Sequence, residues 1–421
     1  MKKSHLIFYI IMCFCLFSCG ETSKTTPPED VVDVPKDGTD TAVDENEDEN
    51  DDDDENAVET LEEKLARLAL ASPADCQQDS TSVNWDALSH ADCNLLSQYK
   101  LFKNIKQPQY DANGAGQYYQ LSAELFSDYA SKYRFVFLPE NTKMTYSFDD
   151  VFEMPLGTVL VKTFAMPFDT AIRGAEHERL IETRLLIKRT DGWVALPFKW
   201  TDDGEDAILT KYGALVDVVM TNAQQTIDFR YEIPSKTTCK NCHQKETDTN
   251  ELVFLPIGLK ARFLNWPLAN QSETQLRNMQ INGLLSGDET DIAATNTVPK
   301  FPVTDLELDQ AAKGYLDVNC AHCHQDGGFG GISGLRLEYW RDATSIKHGI
   351  CKKPPGYDGG LNHLSYDIVP GNAEQSILPY RMSVTTAKDI MPPIGRHSVH
   401  LEGIKLINDW INRMPIVSCN N

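Results

Sequence analysis

Cys320-Ala321-His322-Cys323-His324, with Met391-Pro392-Pro393 downstream, is the stretch from which the rest of the chain is read. Two cysteines separated by two residues and followed at once by histidine form the pattern of covalent haem c attachment. The thiols add across the two vinyl groups of the porphyrin, and the histidine reaches the iron from one side. Met391 stands where a ligand from the other side is expected, with Met382, His397 and His400 as alternatives. A thioether is soft and favours ferrous iron, so His/Met ligation raises the reduction potential. Residues 305–318 read as an amphipathic helix entering the motif. Residues 401–414 read as a closing helix, with Leu401, Ile404, Ile407, Trp410, Ile411 and Met414 near one face. This order predicts an all-α C-terminal domain over residues 301–421.

A second copy, Cys239-Lys240-Asn241-Cys242-His243, lies 81 positions upstream. A zinc site built from two such pairs usually separates them by about 15–20 residues. Here 77 residues intervene. A thioredoxin-like pair does not explain a histidine after both motifs. Two covalently attached haem c groups, each holding iron, are therefore expected. Cys239, Cys242, Cys320 and Cys323 would carry the porphyrins, and His243 and His324 would ligate the metal. No Met-Pro-Pro follows the first motif. Met279, Met154, Met166, His177 and Met220 are candidates for its second ligand, and an open position is another reading. His322 reads as a surface residue.

The N-terminus reads as an address. Lys2 and Lys3 precede a short apolar run, and Leu16-Phe17-Ser18-Cys19 resembles a bacterial lipoprotein signal. That likeness implies a signal peptide over 1–18 and lipid on Cys19. An exported protein is expected, held by its lipid at the outer membrane and facing the periplasm or the cell surface. Of the net charge of −23, residues 29–63 supply −17, with 18 Asp and Glu against one Lys. Residues 19–57 therefore read as an acidic, disordered tether, and nucleic acid is not an expected partner. Cys76, Cys93, Cys351 and Cys419 remain, an even number in an oxidising compartment. The preferred pairings are Cys76–Cys93 and Cys351–Cys419, each within one domain, with free buried thiols as the alternative.

Residues 58–235 read as a β-rich domain. Residues 133–138, 157–164, 180–187 and 215–220 have strand-like runs. Val58, Leu61, Leu65 and Leu68 form a helical stripe at its start. Trp193, Trp200, Tyr118 and Tyr119 suit a β core better than a ligand platform. Residues 236–300 hold the first haem segment, with Ser272-Glu273-Thr274-Gln275 opening a helix that carries Leu276, Met279, Leu284 and Leu285. The fold class expected is multi-domain α+β, a β-rich N-terminal domain followed by the all-α, cytochrome c-like C-terminal domain.

Several phrases together resemble a family of exported dihaem c-type cytochromes. They are 125–130 (Leu-Phe-Ser-Asp-Tyr-Ala), 157–164, 182–186, both haem motifs, Val369-Pro370-Gly371-Asn372 and 391–396. The resemblance covers residues 95–415 and implies haem binding and electron transfer, with Met391 as distal ligand. Members are often encoded beside a parallel β-helix protein, which implies such a protein as a redox partner. A lipid-anchored electron carrier is the leading expectation. A dihaem peroxidase, an electron-accepting dehydrogenase subunit and a sugar- or partner-binding lipoprotein are the alternatives.

Overall fold

Residues 131–137 and 159–167 pair antiparallel at the centre of a six-stranded sheet. The computed structural model describes residues 59–300 and 302–419. The expected signal peptide, Cys19, the expected tether and Val58 lie outside the described residues. Among the described residues no helix is long and apolar enough to cross a membrane.

Helix α1 (Leu61–Leu70) starts at a capping box, in which Thr60 and Glu63 each bond the other's backbone N–H. Helix α2 (Trp85–His90) follows, and a disulfide joins Cys76 to Cys93 beneath it. The strands come next: β1 (Gln117–Tyr119), β2 (Ser131–Phe137), β3 (Met144–Thr145), β4 (Val159–Pro167), β5 (Glu178–Arg189), β6 (Gly192–Trp200), β7 (Ala207–Leu209), β8 (Ala214–Asn222) and β9 (Gln225–Ile233). The main sheet has the order β1-β2-β4-β5-β6-β7, and β8 pairs with β9 as a separate hairpin. Side chains alternate across the sheet. On one face Phe135, Val161, Leu185 and Phe198 pack with Leu88 and Tyr99 of the N-terminal segment. On the other, Val136 and Leu160 join one apolar cluster, and Phe164 and Met166 join another with Tyr231 and Ile233. Trp200 and Tyr119 are buried, so the aromatic residues fill core.

After β9 the elements shorten: α3 (Lys240–His243), β10 (Gln244–Glu246), β11 (Leu252–Phe254), α4 (Ala261–Leu264), α5 (Gln275–Ile281), β12 (Leu285–Ser286) and α6 (Glu289–Ala293). Thr274, rather than Ser272, caps α5 by accepting from Arg277 N–H. Asn282-Gly283 ends that helix, and Leu285 moves to β12, which pairs in parallel with β3. Helices α7 (Leu308–Leu316), α8 (Ile377–Ser383) and α9 (Leu401–Arg413) complete the chain, with a π turn over Asp317–Ala321.

The expected all-α C-terminal domain is corrected by this arrangement. Residues 322–376 hold only turns, 3-10 segments and isolated bridges. The physical reason is composition: Gly327, Gly328, Gly330, Gly331, Gly334, Pro354, Pro355, Gly356, Gly359 and Gly360 interrupt helix propagation. The multi-domain expectation is corrected too, because the unit that begins at Glu59 is undivided. Val318 and Tyr339 share a cluster with Leu160 and Phe263, so one core runs from the sheet into the C-terminal segment. Helices α7 and α9 pack together, with Trp410 Nε1–H donating to Asp309 at 3.0 Å. A second disulfide joins Cys351 to Cys419.

Candidate functional site

The first motif is one helical turn. Cys239 is the N-cap of α3, and Cys242 and His243 follow three and four residues on. That spacing puts both thiols and the imidazole on one side of the turn. His243 Nδ1 lies 2.7 Å from the carbonyl of Leu255, and the ring stacks on Phe254 at 4.9 Å. A carbonyl only accepts, so Nδ1 carries the proton and Nε2 keeps its lone pair. Metal-ligating histidines are commonly oriented in this way. Burial lowers the imidazole to about 3, with Lys162 adding to the effect, so the ring stays neutral.

The second motif leaves the π turn, an interruption often found at functional sites. His324 N–H donates to Cys320 O at 2.9 Å, which closes the turn. His324 Nδ1 lies 3.1 Å from Ser333 Oγ, whose own proton goes to Gly330 O. Again Nδ1 donates and Nε2 is free. Burial lowers His324 to about 4 and raises the Cys320 thiol to about 12.

Met391 lines a cavity of about 130 Å³ together with Cys320, Cys323 and His324. Leu335, Leu337 and Ile377 supply apolar lining. Met382 lines the same cavity. His397 is held by Asp128 and His400 is stacked on Phe126, and neither lines it. Arg396 fixes the methionine loop by donating to the carbonyls of Met391, Ser398, Arg381 and Val384.

The two motifs meet. Cys323 Sγ approaches Asn241 O at 3.7 Å. Sulfur–sulfur hydrogen bonding pulls the Cys242 thiol down and pushes Cys323 up. Backbone pairing reinforces the junction, since Glu246 N–H donates to Gly327 O at 2.8 Å. Gly327 has φ +72°, and a Cβ there would strike Glu246 O. Asp317 binds Lys260 at 2.8 Å and Arg262 at 2.9 Å, tying the π turn to the segment after the first motif. Asn319 accepts from Phe126 N–H at 2.7 Å and donates to Glu124 O, tying the same turn to the strand region.

A row of cations crosses the sheet between its two apolar clusters. Register places Arg134 opposite Lys162, and Lys162 opposite Arg184. Lys132 lies one step along. Glu124 pairs with Lys132 and Arg134, and Glu182 pairs with Arg184. Four cations thus face two carboxylates, and Lys162 has no salt bridge among the described residues. Burial, with Arg134 and Arg184, pushes the Lys162 ammonium well below its ordinary value. Arg184 acts electrostatically on the Cys239 thiol, and Lys162 acts on His243, so the row adjoins the first motif. Periodicity marked these positions as strand but could not show that three cations share one rung.

The donor set fits covalent haem in kind: each motif histidine has its Nδ1 engaged, each motif carries two thiols on the same turn, and Met391 lines one cavity with His324. None of the sequence candidates for the first haem's second ligand lines the first motif's cavity. Met154 and Met279 lie in one apolar cluster, Met166 and Met220 lie in another, and His177 is exposed. The site also contains a group of three metal-capable side chains, Cys242, His322 and Cys323, with ligand atoms within 4.8 Å of one another. No family model, curated protein or solved structure matches the chain.

Proposed function

We propose that this chain is an exported dihaem c-type cytochrome, anchored by lipid at Cys19, that passes single electrons to and from an exported redox protein. The observation that carries the reading is the repeated unit of two cysteines and a histidine whose Nδ1 is already bonded. A bound haem supplies a one-electron iron couple. Cys239 and Cys242 would hold one porphyrin, and Cys320 and Cys323 would hold the other. Leu255 O and Ser333 Oγ orient the two proximal histidines. Met391 lines the second cavity with His324, and its thioether would favour the reduced state there. The adjoining motifs favour electron exchange between the sites. A parallel β-helix protein is the partner that the family resemblance suggests.

Redox titration followed by optical spectra tests the carrier reading on the purified protein. Two low-spin haems that reduce in separable one-electron steps are expected. Rapid peroxide turnover after half-reduction would replace the carrier by a dihaem peroxidase.

A further inference from the structure

His322 reads as a surface residue from its place in the motif, yet the fold half-buries it. It lines the cavity of about 220 Å³ together with Cys242 and the cavity of about 130 Å³ together with Cys323. Its Nδ1 is buried and has no hydrogen-bond partner. A buried imidazole nitrogen without a partner is uncommon in a folded protein and calls for an explanation. His243 and His324, by contrast, both have Nδ1 engaged. The ligand atoms of Cys242, His322 and Cys323 all lie within 4.8 Å of one another, and Cys239 and Cys320 stand outside that group.

We propose that, before haem is attached, Cys242, His322 and Cys323 together bind one zinc ion across the two motifs. Two thiolates and one imidazole are a donor set that zinc accepts, with solvent in the fourth position. Zinc–sulfur bonds of about 2.3 Å and zinc–nitrogen bonds of about 2.0–2.1 Å set tetrahedral donors roughly 3.5–3.8 Å apart. Side-chain rotation is therefore enough to close the group on an ion. Each thiol gives its proton to solvent on ligation, so the two thiolates cancel the charge of the metal. The backbone brings the donors together without the ion. Glu246 N–H donates to Gly327 O at 2.8 Å, and Lys245 bridges Gly328 beside it. Asp317 holds the π turn through Lys260 and Arg262, and Gln325 Nε2 donates to His322 O at 3.0 Å.

The ion and the haems are alternative occupants of the same sulfurs. Haem attachment consumes Cys242 in the first motif and Cys323 in the second. Zinc takes one thiol from each motif, so a single ion blocks both porphyrins and leaves Cys239 and Cys320 free. This competition rests on the haem reading; the zinc site itself does not.

Zinc alone, titrated against a chromophoric chelator into the full chain produced haem-free and reduced, tests the site. One zinc per chain is expected. Cys242→Ser, Cys323→Ser and His322→Gln should each weaken binding by more than the roughly tenfold that changes outside a ligand shell cost. Cys239→Ser and Cys320→Ser should bind as wild type does. Absence of stoichiometric zinc, or equal losses at Cys239 and Cys320, overturns the proposal. X-ray absorption on zinc-loaded wild type needs no variant to fold. Two sulfurs with imidazole scattering are expected, and an all-sulfur or sulfur-free shell overturns the site. Intact mass of the exported chain, followed by the same titration, separates the two readings. Two haems and no zinc uptake support the competition, and two haems with zinc bound as in the haem-free chain overturn it. A chain without haem that binds zinc through these three residues sinks the haem reading and supports the site.

Discussion

The guanidinium of Arg396 donates to the main-chain carbonyl of Met391 at 3.0 Å, from a side chain that is almost wholly buried. The same group bonds three further carbonyls, so the loop that presents the thioether is fixed by one residue. Arg396→Met removes these donors and leaves buried carbonyls unpaired. A loss of about 2–3 kcal/mol is expected in denaturant unfolding. Met391→Ala should spare most of that stability while abolishing the sulfur–iron charge-transfer band of the ferric protein. A band that survives Met391→Ala places the ligand elsewhere, with Met382 the next residue to test.

Lys162 predicts a change of sign. In the haem-free chain it is a half-buried cation between Arg134 and Arg184. Lys162→Met should stabilise that form by about 1–2 kcal/mol, because like charges aligned on neighbouring strands repel. In the loaded protein the propionates supply the missing anions, and the same substitution should destabilise. Thermal unfolding of both forms checks this, and the same sign in both would remove the row from the haem site.

The disulfides should contribute unequally. Cys351–Cys419 spans 68 residues of sequence and Cys76–Cys93 spans 17. Loop-closure entropy puts their contributions at about 4 and about 3 kcal/mol. Paired serine replacements followed by denaturant titration should show the larger loss at Cys351 and Cys419.

His397 gives the fold a pH dependence. Its hydrogen bond to Asp128 raises the imidazole above the ordinary value of 6.5, against partial burial. A raised pKa means that the stabilisation is fully present below 6.5 and is lost as pH rises through the folded value. The difference in melting temperature between wild type and His397→Gln should therefore shrink from about pH 5 to about pH 8. A difference that grows over that range contradicts the pairing.

Local patterns carried much of the fold into view. The strands at 131–137 and 159–167, helix α9 and both cysteine motifs all follow from spacing along the chain. The C-terminal segment did not follow, because the amphipathic ends were legible while the glycines and prolines of 327–360 set everything between them. Helix α5 proved shorter than its apolar stripe because Asn282-Gly283 stops it before Leu284. The site divides in the same way. The four motif cysteines, His243, His324 and Met391 can be picked out as candidates from order alone. The cation row depends on strand register, and His322 depends on how one motif turns against the other. Neither is a property of any local window.

Covalent haem is the central claim, and intact mass of the purified exported chain tests it most directly. The account predicts two haems in wild type and one after Cys239→Ala with Cys242→Ala. The complementary pair, Cys320→Ala with Cys323→Ala, should retain the other haem. A chain that carries no covalent haem, and instead retains zinc in a manner dependent on Cys242, His322 and Cys323, would contradict it.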